Sequence, residues 1–164
     1  MFLTRRCGGI RQAVIGIALL GLASGCAPAS DLDAEAEQLL GLHLRVLEAH
    51  RTGNVDSWMA VEASEYVSAN GGTISFPTAS DRRASREPYL SSTTFTTYRD
   101  LRPPIVRVSA DATLGWLIAE VEVRGTRVVD GVETPVDAIW AWIELYEKQS
   151  GAWKLIGNVS NRRP

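Results

Sequence analysis

Between residues 35 and 51, apolar side chains gather on one side of a helical projection. Leu39, Leu40, Leu42, Leu44, Val46 and Leu47 oppose Glu37, Gln38, Arg45 and Glu48, the spacing of an amphipathic helix. Gly53 is placed to stop this helix, and Asn54 to cap a second one over roughly 55–65. The two predict a tight helical hairpin. After Tyr66 the helical period fades. Short extended pieces flank Gly71-Gly72, Ser80-Asp81 is positioned to cap a short third helix through Arg86, and Pro88 to end it. From Thr93 onward the chain alternates as strands do. Thr93 to Arg99 is rich in threonine and aromatics, Pro103-Pro104 interrupts, and Ile105 to Ser109 resumes. Thr113 to Val129 reads as a long strand, Asp130-Gly131 as a two-residue hairpin turn, and Val132 to Glu147 as the returning strand. Lys148 to Gly151 turns again into a last strand, Ala152 to Ser160. Helices followed by an antiparallel meander predict an α+β fold with helices on one face of the sheet.

Alternation along the long hairpin separates two faces. One carries Leu117, Ala119, Val121 and Val123 with Ala138, Trp140, Trp142, Glu144 and Tyr146. The other carries Trp116, Ile118, Glu120, Glu122 and Arg124 with Asp137, Ile139, Ala141, Ile143 and Leu145. An Asp-Gly turn sets Arg124 opposite Asp137 as a cross-strand ion pair. The Trp140/Trp142 face is the better candidate for the concave side. With the faces reversed, Glu120 and Asp137 would take the inward role.

The first 25 residues follow none of these periods. Arg5, Arg6 and Arg11 precede an apolar run, Ala13 to Ala23, that is too short to span a bilayer as a mature helix. Small residues then lead into Cys26. This is the layout of a secretory signal, and Leu22-Ala23-Ser24-Gly25-Cys26 resembles the lipobox of bacterial lipoproteins. The resemblance implies cleavage before Cys26 and lipidation of its thiol with palmitate-type acyl chains. It implies an exported, membrane-anchored protein, in the outer membrane where the cell has one, since Ala27 stands where a retention signal would place Asp. The alternative is a plain secretory signal with an incidental cysteine. On this reading residues 1–25 are the signal, 26–34 the lipidated N-terminus and a short linker, and 35–164 one folded domain.

Composition narrows the picture further. The two cysteines are Cys7 and Cys26, so a disulfide framework is not expected and the domain must rely on its core. All five tryptophans lie beyond the signal. The chain carries a net charge of −2, and the signal contributes only positive charge, so the remainder is more acidic still. That argues against nucleic acid, which needs clustered positive charge, and against a polybasic membrane contact. No repeat or low-complexity tract is present.

The hairpin Leu39–Gly53–Asn54–Val67, the helices-then-long-strands order, and the ending Gly151-Ala152-Trp153-Lys154-Leu155-Ile156 with Ser160 after it together resemble the nuclear-transport-factor-2-like superfamily, also called SnoaL-like or polyketide-cyclase-like. The resemblance implies a cone: a bent sheet wrapped around the first helix, enclosing an apolar pocket. Its members include ketosteroid isomerases, cyclases, dehydratases, epoxide hydrolases and non-catalytic binding domains, so fold alone leaves function open. Dimers are common in it, so the resemblance implies a homodimer through the sheet as a further expectation.

Candidate chemistry centres on the first helix. His43 sits in the middle of the apolar arc, with His50 seven residues on. An inward histidine must hydrogen-bond or bind something. Each is either a core histidine bonded to a backbone carbonyl or, by the resemblance, a pocket residue. Glu144 is the odd polar group on the tryptophan face, either an acid–base partner for His43 or a rim residue in water. By the resemblance Asn158 and Ser160 face the pocket from the last strand, and Tyr66, at the end of the second helix, lies near its mouth. Trp140, Trp142, His43, Tyr66 and Asn158 are therefore the expected ligand-binding residues. The superfamily's isomerases place a general-base aspartate just after the second helix; here Ala69 or Asn70 falls there. Arg82, Arg83 and Arg86 read as a solvated face or an anion contact. No HxxxH or HExxH pattern, nucleophile elbow, phosphate loop or dinucleotide fingerprint is present, so neither metal nor cofactor is expected. The expectation is an envelope lipoprotein whose cone binds a small apolar ligand or a partner protein without robust catalysis. The alternatives are a lyase, isomerase or hydrolase using His43 with Glu144 and Asn158, or a cone packed shut.

Overall fold

Asp31 caps the first helix. Its carboxylate accepts the Asp33 and Ala34 N–H groups at 3.2 Å each, capping helix α1, Leu32–Thr52. The structure, a computed structural model, describes residues 31–163. Cys26 and the expected signal segment lie outside the described residues. The helix starts inside the expected linker because a cap and acidic first turn (Asp33, Glu35) satisfy and neutralise the positive helix end before the apolar period opens. Gly53, at φ 66°, closes α1 as expected, with its N–H directed at the Ala49 and His50 carbonyls.

Asn54 caps helix α2, accepting the Ser57 N–H at 2.9 Å. That helix ends early, at Val55–Val61, and strand β1 follows at once, Glu62–Asn70. Tyr66 is thus a mid-strand residue rather than a helix end. Pairing with the last strand and burial of Glu62 override the helical propensity of Glu62 and Ala63. Strand β2 is Thr73–Ser75, and helix α3 is Ala79–Ser91. Its cap is Thr78, in a reciprocal capping box with Asp81. Pro88 lies within α3 instead of ending it. Proline forgoes one internal hydrogen bond, but burial of Leu90 and the Ser92 N–H bond to the Pro88 carbonyl (3.1 Å) carry the helix one turn further.

Strands β3 (Thr93–Asp100), β4 (Ile105–Val108), β5 (Leu114–Val129), β6 (Val132–Gln149) and β7 (Ala152–Arg162) complete the chain. The sheet order is β2-β1-β7-β6-β5-β3, with β4 also on β5, and the sheet is curved and unclosed. It is mixed rather than wholly antiparallel, because β1 runs parallel to β7. The helical hairpin delivers β1 to the far side of the last strand, where it runs in the same direction. Asp130-Gly131 forms the expected turn, with positive φ at both residues (52° and 77°). Arg124 pairs with Asp137 across it.

The cone closes where α1 meets β5. Leu39, His43, Val46 and Leu47 of α1 are buried against Leu117, Ala119, Val121 and Val123 of β5. The two elements approach so closely that a Cβ on Gly115 would lie 2.5 Å from Leu39 Cδ1. The other face of the hairpin points outward. Glu120 pairs there with Arg102 and Arg163, and Asp137 is exposed, so the reversed assignment of faces does not hold.

Candidate functional site

The period that buries Leu39 and Val46 also brings His43 and His50, two turns apart, to the inner face of α1. They meet different surroundings. Beside His50 the sheet and helices stand apart, leaving a cavity of about 260 Å³. Its wall is aromatic: Trp58 of α2, Tyr66 of β1, Tyr89 of α3, Tyr98 of β3, and Trp140 and Trp142 of β6. Val46, Val123 and Leu155 fill between them, and His50, Glu144 and Asn158 supply the polar groups.

His43 does not line this cavity. It is fully buried behind Glu144. Its Nδ1 lies 2.9 Å from Glu144 Oε1 and its Nε2 lies 3.0 Å from Asp100 Oδ1. Burial opposes a charge on the ring, but the hydrogen bonds and charges of Asp100 and Glu144 outweigh it and raise His43 to about 9. At neutral pH it is an imidazolium donating to two carboxylates. Glu144 is occupied on both oxygens. Oε1 also accepts from Trp142 Nε1 at 2.9 Å, and Oε2 from the Tyr146 hydroxyl at 2.6 Å. Burial and the Glu144 charge push the Tyr146 hydroxyl well up, so it stays a donor. Glu144 is therefore buried, not a rim residue. His43 and Glu144 lie on the faces that the 3.6-residue and two-residue periods assign them, whereas Asp100, at the end of β3, carries no signal beyond being one acidic residue among many.

His50 is the histidine of the cavity. Its Nδ1–H donates to the Val46 carbonyl at 2.8 Å. Its ring lies between Trp58 (centroids 4.1 Å apart) and Tyr98 (4.2 Å, 22° from parallel). Burial lowers it to about 4, with the nearby Arg86 charge adding to the effect. The ring is neutral, and Nε2 is an acceptor without a partner among the described residues.

A buried cluster flanks the cavity. Glu62 Oε2 accepts from Arg82 Nε at 2.8 Å and from Arg86 Nη1 at 2.5 Å. Its Oε1 lies 2.5 Å from Arg86 Nη2, close enough for an ion pair but without hydrogen-bond alignment. Arg82 also donates to the Ala63 and Pro77 carbonyls, and the Arg86 guanidinium lies 4.0 Å over the Trp58 ring. Arg82 and Arg86 are thus buried, contrary to the solvated face expected. Arg83 is half-buried, bonded to Asp56 and Glu87. A helix as polar as α3 hides such burial, because its partner Glu62 stands in a segment that reads as helix. A second cavity, of about 370 Å³, opens beside Arg82 and Arg86 and shares Trp58, Tyr66, Tyr89 and Asn158 with the first.

Of the expected ligand-binding residues, Tyr66, Trp140, Trp142 and Asn158 line the aromatic cavity, together with Glu144. Asn158 Oδ1 accepts from the Tyr66 and Ser68 hydroxyls at 3.1 Å each. Ser160 and Asn70 also contribute, and no carboxylate stands at position 69 or 70. Trp58, Tyr89 and Tyr98 are wall residues that the sequence reading missed. Among the described residues no group of three His, Cys, Asp or Glu is arranged to hold a metal ion.

No family model and no curated protein sequence matches the chain. Solved structures do. A candidate dehydratase of the NTF2-like family from Streptomyces avermitilis superposes with a TM-score of 0.66 at 12% identity, covering 80% of this chain and 99% of that one. An NTF2-like protein of unknown function from Pseudomonas putida gives 0.63 at 14%, covering 81% and 88%. A ketosteroid isomerase-like protein from Erwinia carotovora atroseptica gives 0.62 at 16%, covering 79% and 97%. The fold is the NTF2-like α+β cone.

Proposed function

We propose that this NTF2-like domain binds a small, largely apolar molecule in its aromatic cavity, and does so while tethered to a membrane through Cys26. The observation that carries the binding reading is the wall itself. Six aromatic side chains surround a hollow of about 260 Å³, the mostly apolar, sparsely polar character of small-molecule sites. The acid–base candidates argue for binding over catalysis. His43 is withdrawn behind Glu144, and both Glu144 oxygens already accept hydrogen bonds. Native mass spectrometry of freshly purified protein tests this: a bound mass that disappears on replacing Trp142 with Arg supports it. A ligand-free spectrum together with intrinsic tryptophan fluorescence unmoved by aromatic probes sinks it.

The tether rests on the lipobox-like segment ahead of the domain. Two acyl chains suffice for a stable anchor. Cys26→Ser is expected to move the protein from the membrane pellet to the soluble fraction, and an unmodified Cys26 in the wild-type N-terminal peptide overturns the proposal.

One observation favours a second reading, an enzyme. Glu144 lines the cavity with an imidazolium behind it, which is the backing a catalytic carboxylate uses. This reading requires a reaction lost in Glu144→Gln with binding retained.

A further inference from the structure

The geometry points to an occupant of one kind: an aromatic molecule bearing an O–H or N–H group, which it donates to His50 Nε2. The inference rests on the cavity being a binding site and says which chemistry that site selects. His50 is 4% exposed and lines the cavity. Its Nδ1–H is spent on the Val46 carbonyl, which fixes the tautomer and leaves Nε2 a lone-pair acceptor. That lone pair has no partner among the described residues. Glu62 Oε1 is the buried side-chain atom that is fully enclosed without a partner among the described residues, so Nε2 is open to the cavity. An occupant without a donor strips water from this acceptor and leaves it unmatched, and one that brings a donor does not. Packing of the imidazole against Trp58 and Tyr98 holds the ring plane, so the lone pair has a fixed direction. Trp140 and Trp142 add two further aromatic rings to the lining, which favours an aromatic occupant. Burial and Arg86 keep the ring from taking a proton itself, so it remains an acceptor at neutral pH.

Three probes of nearly one shape separate the possibilities: naphthalene, 1-methoxynaphthalene and 1-naphthol, which alone carries a donor. Binding is measured by titration calorimetry on the full chain in detergent against a detergent blank. The wild-type protein is expected to bind 1-naphthol about tenfold more tightly than 1-methoxynaphthalene. His50→Phe keeps a ring in the stack and removes the acceptor, and is expected to close that gap while naphthalene still binds. In the wild-type protein, the ¹⁵N resonance of His50 Nε2 is expected to move upfield with 1-naphthol and not with naphthalene. This readout does not depend on the variant folding. Equal affinities for the donor and non-donor probes, a gap that survives in His50→Phe, or an unmoved Nε2 resonance each overturn the inference but leave the cavity a binding site. Binding of none of the three overturns the cavity reading and this inference with it.

Discussion

Two histidines on one helix face have opposite electrostatic fates. His43 is held charged by two carboxylates and is raised to about 9, whereas His50, among aromatic rings, is lowered to about 4. Linkage turns this into a stability curve. In the window between 6.5 and about 9 the folded state holds a proton on His43 that the unfolded chain has lost. The His43 contribution is therefore complete below pH 6.5 and disappears as pH rises through 9. Between 6.5 and about 4 the unfolded chain protonates His50 and the folded state does not, so stability falls as pH drops. Urea midpoints are expected to fall on both sides of about pH 6.5. His43→Gln should flatten the alkaline limb and His50→Phe the acid limb; limbs unchanged by these variants refute the assignment. Separately, His43→Ala leaves Glu144 and Asp100 without their buried cation, a loss of about 3–5 kcal/mol readable in the same denaturation.

Among the elements, the long hairpin and the first helix were legible in the sequence because their periods are long and uninterrupted. Leu117 to Val123 alternate, Asp130-Gly131 fixes the register, and Arg124 falls opposite Asp137. The junction at Val61-Glu62 was not legible. Nothing local tells this run to leave the helix; β7, nearly the whole domain away in sequence, recruits it. The same misreading hid the binding of Arg82 and Arg86, because their partner Glu62 sits at that junction. Glu62 joins α3 to β1 with its carboxylate wholly buried. Glu62→Gln keeps the shape but leaves two guanidinium groups with no opposing charge. It is expected to lower stability by about 3–5 kcal/mol in urea titration. A loss within 0.5 kcal/mol, the range of ordinary surface changes, would show that the pair is not what fastens α3. Of the residues the sequence singles out, Tyr66, Trp140, Trp142, Glu144 and Asn158 line the cavity and His43 does not, while Trp58, Tyr89 and Tyr98 lie on segments whose packing only the folded cone creates.

For the molecule as a whole, β7 lies in the middle of the sheet, between β1 and β6. The last strand to be made is the one that joins the two halves. Asn158, Ser160 and Leu155 come from it, and so does one wall of the cavity. A nascent chain on the ribosome lacks this keystone until Ala152–Arg162 is free. Until then β1 has only β2 beside it and the hollow lacks one side. Translation stalled at Gly151 should leave a protease-sensitive chain, and emergence of β7 through Arg162 should produce resistance in a single step. The domain thus carries a built-in delay, staying pliable until β7 takes its place between β1 and β6.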